Sequence, residues 1–142
     1  MEVLKRSYSS EKRVENLDEI AANRTVIKIS VWDDKPAAED GGKILPPLIE
    51  GLRTAVSGYD WLDVSVAHAN KGRALNALMN RLGVSKGECA AFGDHMNDYE
   101  MLQSCGHPYV TANAYPPLKE LIGEEIPSNA DFGVIQKIKE LI

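Results

Sequence analysis

Apolar and polar residues alternate in two stretches of the first half of the chain. Residues 26–32 read VIKISVW and residues 59–69 read YDWLDVSVAHA, and both have the period of strands with one face open to water. Between them, apolar residues recur at helical spacing after two prolines, which predicts a helix over 46–57. A further helix is predicted over 10–22. This half therefore indicates a sheet with one open face and helices beside it.

The pattern changes near residue 70. The run KGRALNALMNRLGV is amphipathic, with Asn70 able to cap its start and Gly83 ending it, and this predicts a helix over 70–82. The apolar residues expected to face inward are Ala74, Leu75, Leu78, Met79 and Leu82. ECAAF, residues 88–92, is apolar without alternation, which is typical of a buried parallel strand.

The remaining residues predict one more strand and three helices. The strand is PYVTA, residues 108–112, and the helices cover about 98–104, 115–122 and 131–142. The last helix has Ser128 or Asn129 as its cap, and four residues form its expected buried face: Phe132, Ile135, Ile138 and Leu141. Helices alternating with strands indicate part of a doubly wound α/β sheet. We place a domain boundary between residues 68 and 69.

Composition narrows the classes of function. The chain has 142 residues, is 44% hydrophobic and 26% charged, and carries a formal net charge of −5, so it can bury a core. No basic stripe interleaved with aromatic residues is present, which argues against general nucleic-acid binding. Cys89 and Cys105 show no CxxC spacing, and Cys89 is expected to be a small buried hydrophobe. With no apolar run of membrane-spanning or signal-peptide length, we expect a cytoplasmic protein without a membrane partner.

The loop GDHMND, which directly follows ECAAF, is the candidate for chemistry. In an open parallel sheet, ligands bind beyond the carboxyl ends of the strands. The carboxylates of Asp94 and Asp98 can hold a hard cation such as Mg²⁺, and Asn97 can donate to a phosphate oxygen. The alternative is that Asp94 is a turn former and Asp98 a helix N-cap.

Lys71 and Gly72 open the preceding helix. A cation at a helix N-terminus opposes the helix dipole, so Lys71 costs stability unless an anion lies nearby. Gly72 lets the backbone approach a ligand closely. A lysine placed over a phosphate and a metal-bound carboxylate accounts for both residues. The alternative is that Lys71 is a solvated surface lysine.

Lys71-Gly72, GDHMND, ANA (112–114) and SNADFGV (128–134) together resemble the C-terminal part of haloacid-dehalogenase (HAD) superfamily phosphatases, Cof-type branch. The resemblance implies a partial HAD-like, Rossmann-like parallel-sheet core over 69–142, preceded by part of an α/β cap domain over 1–68. It implies that Asp94 ligates Mg²⁺, that Asp98 supports the metal site, and that Lys71 and Asn97 contact the phosphate of a small phosphorylated metabolite. His95 departs from the small residue common at its position, and its role stays open.

The family's nucleophile is missing from these residues. It is the first Asp of a D-x-D-G motif, which attacks phosphorus, and this chain contains no D-x-D-G. Asp33-Asp34 lacks the spacing and the following glycine. We therefore expect the chain alone to be inactive as a phosphatase, and expect its exposed sheet edges to favour self-association or association with a missing N-terminal half.

The sequence allows two alternative functions. The chain could be a non-catalytic remnant that self-associates or binds a phosphorylated ligand or a protein. It could also be a purely structural α/β module in which GDHMND is only a turn.

Overall fold

Two small sheets organise the part of the chain that the structure describes. The computed structural model describes residue 10 and residues 12–142. The strands are β1 (Ile29–Trp32), β2 (Leu52–Gly58), β3 (Trp61–Val66), β4 (Ala90–Gly93), β5 (His107–Thr111) and β6 (Glu125–Ile126). The first sheet is antiparallel with the order β1-β3-β2, and the second is parallel with the order β4-β5-β6.

Helices flank and connect these strands. They are α1 (Leu17–Asn23), α2 (Gly41–Ile44), α3 (Lys71–Leu82), α4 (Tyr99–Ser104), α5 (Pro116–Leu121) and α6 (Gly133–Leu141). Short 3-10 turns cover Pro46–Leu48, Lys86–Glu88, Met96–Asp98 and Asn129–Asp131. Because α4 and α5 each connect two parallel strands, the predicted α/β class with a parallel sheet is confirmed. No helix among the described residues is both long and apolar enough to span a membrane.

The helix predicted to follow Asn70 is confirmed in its position and its caps. The Asn70 side-chain oxygen accepts a hydrogen bond from the Arg73 amide at 2.7 Å, as an N-cap does. Gly83 ends α3 with a φ of 68°, the left-handed conformation that glycine adopts without strain. These two caps fix the start of α3, and therefore the place of Lys71.

The helix predicted over 46–57 is wrong. Residues 52–58 instead form β2, which pairs with β3 through a tight connection at residues 59–60. The pairing sets Arg53 opposite Ser65 and Ala55 opposite Asp63, so β3 gains a hydrogen-bonded neighbour on both sides. Backbone pairing in this hairpin outweighs the helical spacing of the apolar residues.

The helix predicted over 10–22 starts later than expected. Asn16 caps it, because its side-chain oxygen accepts from the Asp18 amide at 2.9 Å, and α1 therefore begins at Leu17. Residue 11 lies outside the described residues.

The core lies mainly around the parallel sheet. Its buried members come from β4, β5, the helices that connect the strands and the adjoining loops: Ala91, Leu102, Cys105, Val110, Ala114, Leu118 and Ile122. Cys89, expected to be buried, packs against this cluster but is only half-buried. In the antiparallel sheet, Leu62 and Val64 are buried on one face.

Two predicted buried faces are wrong. On α3 Met79 is buried and Leu75 half-buried, whereas Ala74, Leu78 and Leu82 are exposed. The expected buried face of α6 is exposed at all four positions: Phe132, Ile135, Ile138 and Leu141. Within the described residues no element covers these faces, and β4 has no strand partner on the side away from β5.

Candidate functional site

Asp98 organises the loop that follows β4. The residue is 4% exposed, and its Oδ2 accepts hydrogen bonds from the backbone amides of Asp94 at 3.1 Å and His95 at 3.4 Å. Asp98 directly precedes α4, but its side chain makes no cap hydrogen bond to that helix. The carboxylate instead folds the GDHMND loop back on itself.

Gly93 and Gly72 allow this corner to pack closely. A Cβ on Gly93 would lie 2.7 Å from the Asp98 Cβ, so only glycine fits at the end of β4. A Cβ on Gly72 would collide with the backbone carbonyl of Glu100. Gly72 therefore allows α3 to pack closely against α4, and its expected role in letting a ligand approach the backbone stays a prediction.

Lys71 and Asp98 form an ion pair across the site. The Lys71 ammonium donates to Asp98 Oδ1, and the Lys71 side chain is 50% exposed whereas that of Asp98 is 6% exposed. The carboxylate is the nearby anion that a lysine at a helix N-terminus requires. Since Lys71 stays half-exposed, its ammonium remains accessible to a ligand as well.

Asp94 and Asn97 lie beside this pair. Asp94 is exposed, and its carboxylate accepts no hydrogen bond from any residue that the structure describes. Its backbone carbonyl accepts from the Tyr115 amide at 2.8 Å, which ties the loop to the start of α5. Asp94, Asp98 and Lys71 line one cavity of about 400 Å³, and Asn97 shares two neighbouring cavities with Lys71. The structure thus places the four predicted residues around neighbouring cavities at the carboxyl end of β4, a region we call the corner: Lys71, Asp94, Asn97 and Asp98.

The carboxylates differ in what they offer a cation. Both oxygens of Asp98 are engaged, one by Lys71 and the other by backbone amides, whereas the carboxylate of Asp94 is open. Residues 10 and 12–142 contain no group of three or more His, Cys, Asp or Glu side chains placed to hold a metal. This donor set fits Mg²⁺, which uses one or two carboxylates and completes its shell with water and substrate phosphate.

His95 connects the loop to the antiparallel sheet. Its Nδ1 lies 2.9 Å from the carbonyl oxygen of Val56, beside the register shift of β2 between Val56 and Gly58. Because a carbonyl only accepts, Nδ1 carries the proton of this bond. The ring also stacks on Tyr115, with centroids 4.8 Å apart and planes at 12°. The sequence contained no sign of this contact, which depends on β2 being a strand.

An ion pair makes a second connection between the two sheets. Arg53 on β2 contacts Glu100 on α4 at 3.0 Å, and both side chains are partly buried. With His95, this contact holds the antiparallel sheet over the corner that carries Lys71 and Asn97. The space between them is a cavity of about 310 Å³, lined by Lys28 and residues of the antiparallel sheet from one side and by Lys71 and Asn97 from the other.

The chain is similar to known proteins in both sequence and structure. A model described as haloacid dehalogenase-like hydrolase matches residues 2–138. An HMP-PP phosphatase of Serratia proteamaculans is 50% identical over 66 residues, which is 46% of this chain and 24% of that protein. A haloacid dehalogenase-like hydrolase from B. subtilis superposes with a TM-score of 0.77 at 26% identity, covering 91% of this chain and 46% of that one. TM0651 from Thermotoga maritima superposes with a TM-score of 0.69 at 26% identity, covering 94% of this chain and 51% of that one.

The chain therefore spans about half the length of these solved proteins, and its match covers about a quarter of the curated relative. The match of the family model across 2–138 confirms the resemblance that Lys71-Gly72 and GDHMND predicted. This chain belongs to the haloacid dehalogenase-like hydrolase family.

Proposed function

We propose that this chain forms the Mg²⁺- and phosphate-binding part of a hydrolase that acts on small, sugar-phosphate-like phosphomonoesters. The observation that supports this most directly is the Lys71–Asp98 ion pair beside the open carboxylate of Asp94, at the carboxyl end of β4. We assign residues 1–68 to part of a cap domain and residues 69–142 to the C-terminal part of the catalytic core. The two free thiols, Cys89 and Cys105, support a reducing cytoplasm as its compartment.

Each residue of the corner has a distinct role in this proposal. Lys71 and Asn97 bind phosphate oxygens, with Lys71 supplying the positive charge. Asp94 ligates Mg²⁺, and Asp98 supports the metal site by orienting Lys71 and holding the Asp94 amide. When bound, the cation neutralises charge on the phosphate.

In this proposal the nucleophile is supplied by a separate N-terminal half. Asp33 and Asp34 follow β1, but Asp33 is used locally, since its Oδ1 accepts from the Lys35 amide at 3.2 Å and its Oδ2 from the Gly41 amide at 3.3 Å. These bonds hold the loop between β1 and α2. We therefore propose that the chain alone does not hydrolyse phosphomonoesters and that an N-terminal half carrying D-x-D-G completes the site.

A complementation assay tests the proposal. The chain is assayed for p-nitrophenyl phosphate hydrolysis with Mg²⁺, alone and mixed with the N-terminal half of a related phosphatase. We expect no hydrolysis above background from the chain alone, activity from the mixture, and loss of that activity with Asp94→Ala. Lys139→Ala, on the exposed side of α6, is the control and should complement normally. A mixture that forms a complex yet stays inactive would contradict the proposal.

The alternative function is a non-catalytic protein that self-associates. It is favoured by the unpaired side of β4 and the exposed apolar residues of α6, because such edges and patches tend to pair with another chain. Light scattering separates the two cases. A stable dimer that does not bind the N-terminal half would support the alternative, whereas a monomer that binds that half would exclude it.

A further inference from the structure

One face of the antiparallel sheet carries polar side chains and lies toward Lys71. Leu62 and Val64 are buried on the opposite face of β3, whereas Asp63 between them points to the polar side. The Asp63 carboxylate accepts from Lys28 Nζ at 3.0 Å through one oxygen and from Ser30 Oγ at 2.7 Å through the other. Ser30 thus orients the Asp63 carboxylate, and one bond from Lys28 to that carboxylate holds the lysine at the cavity.

Two cavities join this face to the proposed phosphate site. The cavity of about 310 Å³ is lined by Lys28, Ser30 and Asp63 on one side and by Lys71 and Asn97 on the other. A larger cavity, of about 510 Å³, contains the same lysines and Asn97. A molecule whose phosphate contacts Lys71 can therefore reach Lys28 through the same cavity.

The larger cavity is rich in positive charge although the chain as a whole is acidic. Its lining contains four basic residues, Lys28, Arg53, Lys71 and Arg73, and a single carboxylate, Asp63. Arg53 is held by Glu100 and Lys71 by Asp98, whereas Arg73 has no ion pair within the described residues. The Lys28 side chain is 47% exposed, and an ammonium has three donors, so it can bind an anion while keeping its bond to Asp63.

We propose that Lys28 determines specificity by binding a second anionic group, a phosphate or a carboxylate, on the leaving group of the substrate. The substrate class is then a phosphomonoester whose organic part carries another acid. This inference rests on the proposed function, because it requires Lys71 to hold the phosphate that is transferred. With a neutral leaving group, Asp63 would be the only anion near Lys28 at this face, and Arg73 would have none among the described residues.

Binding can be measured without catalysis. Fructose 1,6-bisphosphate and fructose 6-phosphate are titrated calorimetrically into the 142-residue chain with Mg²⁺. We expect the bisphosphate to bind about tenfold more tightly, the gain of one charge-assisted contact. Lys28→Gln should lower the bisphosphate affinity to that of the monophosphate and leave monophosphate binding within about twofold. Lys28→Arg should keep the preference, and Lys139→Gln, which removes the same charge from α6, should change neither affinity.

The outcomes separate this inference from the proposed function. Equal affinities for the two sugars in the unchanged protein, or a preference that survives Lys28→Gln, would overturn the role of Lys28. If Arg73→Gln removes the preference and Lys28→Gln does not, the second anion lies at the other end of the cavity and the assignment is wrong. Lys71→Gln should weaken both ligands; if it weakens neither, the proposed phosphate site fails. Binding of neither ligand to the unchanged protein would contradict both proposals.

Discussion

Lys71 and Asp98 join the first residue of α3 to the residue that directly precedes α4, across 27 positions of the chain. The pair satisfies two unfavourable placements at once. A lysine at a helix N-terminus gains an anion, and a carboxylate that is 6% exposed gains a cation. Since Asp98 also accepts from two backbone amides, the geometry of the proposed phosphate site and the stability of the loop depend on the same carboxylate.

Asp98→Ala should therefore destabilise the fold strongly. The change removes the partner of Lys71 and leaves the amides of Asp94 and His95 without their acceptor, so we expect a loss of about 2–4 kcal/mol in the free energy of unfolding. Urea denaturation measures it. The matched control is Asp94→Ala, four residues away, whose exposed carboxylate accepts no hydrogen bond from the described residues and should cost less than about 0.5 kcal/mol. Similar losses for the two variants would contradict the assigned role of Asp98.

Gly72→Ala should also be destabilising, although alanine favours helices. The new methyl group collides with the Glu100 carbonyl, so α3 and α4 have to move apart, at a cost of about 1–3 kcal/mol. Gly87→Ala is the control, because a Cβ there meets nothing within 4 Å. Thermal unfolding followed by circular dichroism should show a lower Tm for Gly72→Ala alone. A Tm for Gly72→Ala at or above that of the unchanged chain would show that α3 and α4 do not pack this closely.

The sequence predicted the parallel half of this fold better than the antiparallel half. For α3, both caps agree with the prediction although most of its expected buried face is exposed. The four candidate site residues were selected because their types are unusual at a helix start and a strand end, and their roles stay predictions. For β2, local spacing indicated a helix, and only pairing with β3 makes it a strand. The spacing of apolar residues along a helix also indicates which face is apolar, but it does not indicate whether another element covers that face. This is why α6 was expected to be buried although Phe132 and Ile135 are exposed.

His95→Ala should weaken the connection between the two sheets. The variant loses the hydrogen bond to the Val56 carbonyl and the stacking on Tyr115, which together should cost about 1–2 kcal/mol in the free energy of unfolding. Limited proteolysis should cut the segment between β3 and α3 faster in this variant. His68→Ala is the control, because His68 is exposed and makes no hydrogen bond within the described residues. Unchanged stability and unchanged cleavage would indicate that Arg53 and Glu100 hold the sheets together without His95.

The two cysteines should differ in reactivity toward an aromatic disulfide reagent. Cys105 is 3% exposed and its thiol donates to the Leu102 carbonyl at 3.3 Å, and burial raises the pKa of this thiol above its ordinary value. Because only the thiolate attacks, a raised pKa keeps Cys105 protonated and unreactive at pH 8, and burial blocks the reagent as well. We expect one fast thiol, lost in Cys89→Ser, and one that reacts at the rate of unfolding. In 8 M urea, roughly a full-denaturation condition for domains of this size, both should react quickly. Rapid modification of Cys105 in the folded Cys89→Ser variant would show that the core around Leu102 opens far more readily than its packing indicates.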